Sequence, residues 1–256
     1  MKSQYEKKRL ITFDRIKIKS NYKYLLNTKV KFNEMFHSRS GERIGIFYSS
    51  KDDINIPYNL YIAVSYIKQT LTLEFSSKIL KEKYPDLISR DTIKECLTNI
   101  NLLNICKIDI DGILSDGAIT SVDVTYDTNL ILSDNLLDVL NSQVNNYRRF
   151  KWTHYDKEGI MFTKDVKSKD CTETIILYNK EKEICTSHNK DFLNSLSQPQ
   201  SIIDYFKGKT RFELTLDTPK KIMKYLNLAD TKIFSVLNSD TNPILCLLYT
   251  SPSPRD

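Results

Sequence analysis

SVDVTYD, residues 121–127, alternates polar and apolar side chains in the way of a β-strand with one buried face. Asp123 lies on its polar face, and two valines and a tyrosine form the apolar face. Residues 210–216, TRFELTL, repeat the pattern and place Glu213 on the polar face. Antiparallel sheets commonly bury one face and leave the other solvated. Both stretches therefore predict strands of such a sheet, with an aspartate and a glutamate on its polar side.

A third stretch, TIILYNKEKE at residues 174–183, places Tyr178 and Lys180 on one side of a strand-like pattern. If the three strands join one sheet, its polar face carries Asp123, Glu213 and a phenol beside an ammonium group. Such a face can bind a divalent cation, with the phenol beside the cation as a nucleophile. The alternative is that the face is polar only because it is solvated, which requires no chemistry.

The remaining patterns predict an α+β fold, in which an antiparallel sheet is covered by helices on one face and its open polar face carries the active site. Residues 105–111 and 119–127 flank a loop rich in turn formers, so we expect them to pair as a β-hairpin. The other expected elements are strands at residues 13–19, 44–48 and 70–76, and helices behind Ser89, from Ser133 or Asp134, at residues 201–206, and from Thr218 through Leu226.

The formal net charge of +6 is concentrated near the start of the chain. Residues 1–31 contain ten Lys or Arg and two acidic residues, so this segment carries +8 and the remainder −2. Such a concentration favours a polyanionic partner, because neutralised phosphates release condensed counterions. Lys17 and Lys19 are therefore predicted to contact nucleic acid. An ordinary solvated basic arm would have the same composition.

A second basic patch, YRRFKW at residues 147–152, interleaves aromatic and cationic side chains. Single-strand binding grooves use this mixture, because bases stack on the rings while the cations follow the backbone. The single tryptophan could equally anchor a core. The predicted nucleic-acid contacts of the patch are Arg148, Arg149, Lys151 and Trp152.

Five segments of this sequence, in the order in which the family has them, resemble motifs of the rolling-circle replication initiators of the phage and plasmid type. These initiators include the gene II replication proteins of filamentous phages and plasmid Rep proteins. Asp123 matches the aspartate of one family strand, and Glu213 belongs to the R-F-E strand. Tyr178, followed two residues later by Lys180, ends the apolar strand between them. TLTLEFSSKIL and FDRIKIK, nearer the start of the chain, resemble two further family segments.

The resemblance implies an endonuclease that nicks and rejoins DNA. Tyr178 attacks single-stranded or hairpin origin DNA, keeps the 5′ end as a phosphotyrosine and leaves a 3′-hydroxyl for the host replication machinery. Asp123 and Glu213 hold Mg²⁺ or Mn²⁺, since the chain lacks the H-x-H pair of the broader family. Lys180 favours the phenolate. A non-enzymatic nucleic-acid-binding protein and a metal nuclease that uses water stay open as alternatives.

The resemblance covers roughly residues 10–230, so we expect a nicking domain at residues 1–230. Residues 231–245 would begin a further region. The last residues, 246–256, read CLLYTSPSPRD and resemble a translated sequencing adapter, or else a disordered tail. The chain shows no signal-peptide start, no apolar run of membrane-spanning length and no C-x-x-C spacing, so we expect a cytoplasmic protein with no membrane partner.

Overall fold

The computed structural model describes residues 11–144, 150–155, 159–164, 174–241 and 243. Within these ranges, twelve strands and eight α-helices form an α+β fold, which confirms the predicted class. The strands are β1 (Phe13–Asn21), β2 (Leu25–Thr28), β3 (Asn33–Phe36), β4 (Arg43–Ser49), β5 (Leu60–Ser65), β6 (Thr70–Ser76), β7 (Cys106–Ile108), β8 (Ala118–Thr128), β9 (Phe150–Tyr155), β10 (Gly159–Lys164), β11 (Thr174–Asn179) and β12 (Thr210–Leu216). The helices are α1 (Ile93–Leu102), α2 (Ile110–Asp116), α3 (Asp134–Val144), α4 (Lys180–Ile184), α5 (Lys190–Asn194), α6 (Pro199–Phe206), α7 (Pro219–Leu226) and α8 (Ile233–Leu237).

Ten of the described strands form one antiparallel sheet in the order β3-β4-β5-β6-β1-β8-β12-β11-β10-β9. The two stretches that predict the sheet are neighbours in it, since β8 pairs with β12 along its length. Leu214 lies opposite Val124, and Thr215 lies opposite Asp123. Because paired residues of an antiparallel sheet point to the same side, the carboxylates of β8 and β12 share one face.

The apolar face of this sheet forms the main core with α2, α7 and α8. Val122 and Leu216 are fully buried on it, as is Ile222 of α7. Helix α7 begins as predicted, because Thr218 accepts a backbone hydrogen bond and Pro219 takes the first helical position. No helix in the described ranges combines the length and apolar composition that a membrane span requires.

The predicted hairpin between residues 105–111 and 119–127 is wrong. In the described chain, Cys106–Ile108 pairs instead with β2 in a separate two-stranded sheet. Asp109 then caps helix α2, since its Oδ1 accepts a hydrogen bond from the Gly112 amide at 3.0 Å. The aspartate that the alternation placed in a strand is therefore a helix cap.

Strand β1 contains a bulge at Asp14, because its pairing with β8 shifts between Phe13 and Arg15. The Asp14 amide donates a hydrogen bond to Thr125 Oγ1 at 3.1 Å. The extra residue turns both Asp14 and Arg15 toward the polar face, where Arg15 contacts Asp123. A carboxylate that strict alternation would bury thus joins the polar side of the sheet.

One end of the polar face is closed by residues Ser77–Asp86, which form 3-10 turns, and by helices α4 to α6. Tyr84 is fully buried there. Its ring lies 5.5 Å from the ring centroids of Phe192 and Phe206. Tilted and edge-on contacts of this kind are favourable between aromatic rings. The remainder of the face, around Arg15, is open to solvent in part.

Arg211 of β12 is fully buried beneath this closed end. Its Nε and Nη2 donate to the two oxygens of Asp127 at 2.7 and 2.9 Å. Its Nη1 donates to Asp14 at 3.1 Å and to the Tyr84 hydroxyl at 2.9 Å. One guanidinium therefore joins β12, β8, the bulge of β1 and the Ser77–Asp86 segment.

We expect Arg211→Met to lower the free energy of unfolding by about 3–5 kcal/mol, because it leaves the buried Asp127 and the half-buried Asp14 without their cation. Urea denaturation measures the change. The matched control is Arg43→Met, since Arg43 pairs with Glu34 at 3.2 Å while 49% and 44% of their side-chain surfaces are exposed. The control should cost less than about 1 kcal/mol. Equal losses in the two variants would contradict the role given to the buried network.

Candidate active site on the polar face

Tyr178 and Glu213 meet on the polar face of the sheet. Tyr178 of β11 lies opposite Arg211 of β12, so Glu213 is its diagonal neighbour. The Tyr178 hydroxyl donates a hydrogen bond to Glu213 Oε1 at 2.7 Å. Because Tyr178 is only 6% exposed, this phenol and its acceptor are largely shielded from water.

Glu213 lies among charges of both signs. Burial first, and the negative charge of Asp14 second, raise the pKa of Glu213 to about 7. The positive charges of Arg211 and Lys180 act in the opposite direction. Near neutral pH this carboxyl group is therefore close to its titration midpoint, where a group can both accept and release a proton.

The environment of Tyr178 favours the neutral phenol. Burial raises the pKa of Tyr178 well above the usual 10.0, and the charge of Glu213 adds to that rise. Arg211 acts to lower it. A nucleophilic phenol in this position needs an acceptor for its proton, and Glu213 already accepts its hydrogen bond.

Lys180 does not continue the strand, as the alternation predicted it would. β11 ends at Asn179, whose side chain accepts a backbone N–H and caps α4, so Lys180 is the first residue of the helix. Its buried Nζ forms an ion pair with Glu183 and lies 5.5 Å from the centroid of the Tyr178 ring. The ammonium group and the phenol are thus together, but Glu183 shares the ammonium charge.

Asp123 lies on the same face, on β8, so that Glu213 of β12 stands between it and Tyr178 of β11. It is opposite Thr215 and therefore diagonal to Glu213. Arg15 donates to its two oxygens at 2.7 and 3.1 Å, and Thr215 Oγ1 donates to Oδ1 at 2.8 Å. The structure thus brings Glu213 against the phenol, whereas both oxygens of Asp123 already serve other side chains.

Asp14 is the carboxylate whose charge acts on Glu213. Its Oδ1 accepts hydrogen bonds from Ser77 Oγ at 2.5 Å and from Arg211 Nη1 at 3.1 Å. Burial alone would raise the pKa of Asp14, but Arg211 and Lys180 hold it below its usual value. An ionised Asp14 and a nearby Glu213 offer the oxygen ligands that Mg²⁺ and Mn²⁺ prefer.

The described residues contain no group of three acidic, histidine or cysteine side chains placed to hold a metal ion. Mg²⁺ in phosphoryl-transfer sites is often held by one or two carboxylates together with substrate phosphate. The donor set therefore fits a cation that shares its ligands with a bound phosphate. It does not fit a closed protein cage.

The predicted nucleic-acid contacts lie in three places. Lys17 and Lys19 are on the polar side of β1, in the row that begins with Arg15. Lys151 and Trp152 belong to β9, at the far edge of the sheet. The other two predicted contacts, Arg148 and Arg149, lie outside the described residues.

Sequence reasoning gave no role to four charged residues of the site, namely Asp14, Lys78, Glu183 and Arg211. The bulge that presents Asp14 cannot be recognised from the alternation of polar and apolar residues, because it is a shift in the pairing of β1 with β8. Glu183 had a signal, because it follows Lys180 by three residues, a spacing that a helix brings together. Lys78 Nζ donates to Asn189 Oδ1 at 2.5 Å, and burial together with the charge of Lys180 lowers the pKa of Lys78.

A comparison with protein families matches residues 88–235 to a phage family described as the N-terminal part of a replication-associated protein. A comparison with curated proteins finds no match. The matched residues make up more than half of the chain and include Asp123, Tyr178 and Glu213. The predicted relationship to the gene II and Rep initiators is thereby confirmed. The chain belongs to this family of phage replication-associated proteins.

Proposed function

We propose that this protein initiates replication by nicking origin DNA, with Tyr178 as the nucleophile. Its family supports a role in phage DNA replication. The observation that carries the chemical step is the hydrogen bond from Tyr178 to the Glu213 carboxylate. Arg211 and Lys180 stand beside this pair and balance its negative charge.

The proposed step is a transesterification. The Oη–P bond forms as Tyr178 attacks the scissile phosphorus, and the P–O3′ bond breaks. The phenolic proton passes to Glu213, and the departing O3′ takes a proton from solvent. Glu213 later returns its proton to solvent. The 5′ side of the strand stays on the tyrosine, so the reverse attack by a 3′-hydroxyl can rejoin the strand without ATP.

A divalent cation, Mg²⁺ or Mn²⁺, is part of the proposal. Glu213 would hold it together with Asp14 or, as the sequence predicts, Asp123. Asp14 is the better partner, because among the described residues only its Oδ1 accepts hydrogen bonds, while Arg15 and Thr215 engage both oxygens of Asp123. When bound, such a cation neutralises charge on the scissile phosphate.

The proposed substrate is single-stranded or hairpin DNA at the replication origin, and the free 3′-hydroxyl would prime the host replication machinery in the bacterial cytoplasm. A hydrolytic nuclease and a non-enzymatic DNA-binding protein are the competing functions. The hydrogen-bonded phenol favours transesterification over hydrolysis, because the sheet holds a side-chain nucleophile next to a proton acceptor.

Tyr178→Phe should abolish the covalent DNA–protein product. Because the ring is kept and the nucleophilic oxygen is lost, we expect the nicking rate to fall about a thousandfold or more. DNA affinity should change less than about twofold. A labelled single-stranded origin oligonucleotide with Mg²⁺, resolved on denaturing gels, reports both linked and free products.

The matched control for Tyr178→Phe is Tyr61→Phe on β5, several strands away in the same sheet. Linkage that survives Tyr178→Phe would assign the nucleophile to another residue. Free cleaved strands from the unmodified protein would indicate hydrolysis, and a mobility shift without cleavage would indicate binding alone.

The nicking rate should depend on the ionisation of Glu213, whose pKa is raised to about 7. The carboxylate must be deprotonated to accept the phenolic proton, so the single-turnover rate should rise with pH up to about 7 and then level off. A cation held by Glu213 favours the charged carboxylate, so raising the Mg²⁺ concentration should move this rise to lower pH. Glu213→Gln should lower the plateau rate about a hundredfold or more and remove this dependence. It should not lower the melting temperature at pH 8, since it removes a buried charge.

The control for Glu213→Gln is Glu34→Gln, an exposed carboxylate at the sheet edge. It should keep both the rate and the pH profile. A Glu213→Gln protein that retains the rise near pH 7 would show that another group accepts the proton.

A further inference from the structure

A groove of about 420 Å³ opens on the polar face, on the side of Asp123 away from Tyr178. Its floor is the row that β1 presents to solvent. The lining residues are Arg15, Lys17, Lys19, Glu74, Thr120, Ser121, Asp217 and Pro219. Three cations therefore face two carboxylates, and the proposed mechanism uses none of these residues.

Glu74 fixes two of the three cations side by side. Its two oxygens accept hydrogen bonds from Arg15 Nη1 at 2.7 Å and from Lys17 Nζ at 2.9 Å. Burial alone would raise the pKa of Glu74, but Lys17 and Arg15 hold it below its usual value. The carboxylate therefore stays ionised and orders the two cations along the groove floor.

Lys19 continues this row and carries the least compensated charge. It is exposed, and no carboxylate of the described residues lies within ion-pair distance of it. Its alternation with Lys17 and Arg15 spaces the three cations along one side of a strand. Such a row suits a chain of phosphates better than a single compact anion.

The groove lies close to the proposed chemistry. Ser121 lines it, and Thr125, four positions further along β8, lies opposite Glu213. At about 3.3 Å per residue the separation is about 13 Å. A DNA strand advances by about 3.4 Å or more per nucleotide, so about four nucleotides or fewer bridge it.

We propose that this groove binds the backbone of single-stranded DNA beside the scissile phosphate and so sets the position of the strand over Tyr178. The proposal rests on the proposed nicking function. No aromatic side chain lines the groove among the described residues, so its contacts are to phosphates and sugars rather than by base stacking. Its volume of about 420 Å³ is small, so we assign the groove to one strand rather than to a duplex.

The test measures affinity for fluorescein-labelled dT20, which presents a backbone without an origin sequence. Lys19→Ala should weaken binding about fivefold and reduce the slope of log affinity against log salt by about 0.7, the value for one phosphate contact in a single strand. Asp217→Asn should tighten binding about twofold, because it removes a negative charge from the groove wall. Lys107→Ala, on β7 of the separate sheet, is the matched control and should leave affinity unchanged.

Opposite effects of Lys19→Ala and Asp217→Asn would support the groove, because general damage to the fold would weaken binding in both. Equal affinities of Lys19→Ala and Lys107→Ala would overturn the proposal. The proposal would also be overturned if a 20-base-pair duplex bound more tightly than dT20 and lost as much affinity as dT20 does in Lys19→Ala.

The nicking rate on saturating origin strand separates the two proposals. Lys19→Ala should raise the KM for the origin strand about fivefold and lower the saturating rate much less, because Arg15 and Lys17 still line the groove. An unchanged KM would count against the groove. If the dT20 effects hold while the unmodified protein forms no covalent product, the groove stands and the Tyr178 mechanism fails.

Discussion

The buried guanidinium of Arg211 is the constraint on which the site depends. A charged side chain that is removed from solvent needs a partner of opposite charge. The partners of Arg211 are Asp127 of β8 and Asp14 of β1. Asp127 fixes the register between β8 and β12, and Asp14 requires the bulge in β1. Tyr84 adds the closing segment by accepting from the same group. The polar end of the sheet is thus held by one set of charge-assisted hydrogen bonds.

The position of the phenol follows from that register. With Arg211 opposite Asp127 on one side and Tyr178 on the other, Glu213 lies one diagonal step from the hydroxyl. The closed end excludes water, which raises the pKa of both Tyr178 and Glu213 and keeps a proton between them. Further along the face the sheet is open and basic, as a phosphate backbone requires. Chemistry and strand binding therefore occupy two parts of one surface.

Alternation in the sequence was enough to predict β8, β11 and β12 and the face that carries Asp123, Tyr178 and Glu213, because side-chain direction in a strand has a period of two. It could not show which carboxylate would meet the phenol, since register depends on pairing between distant strands. The bulge at Asp14 and the helical start at Lys180 also escaped it. A bulge depends on the pairing with the neighbouring strand. The helix that begins at Lys180 is signalled only by its capping residue, Asn179, and asparagine is equally common in loops.

The shared proton of Tyr178 and Glu213 is best tested by NMR titration of protein labelled with ¹³C at the tyrosine ζ carbons, with Tyr178→Phe used to assign the resonance. We expect the Tyr178 resonance to shift as Glu213 titrates near pH 7 and to show no phenol ionisation at the usual 10.0. A resonance that ionises near 10.0 with no inflection near 7 would contradict the account, because the phenol would then be solvated and apart from the carboxylate.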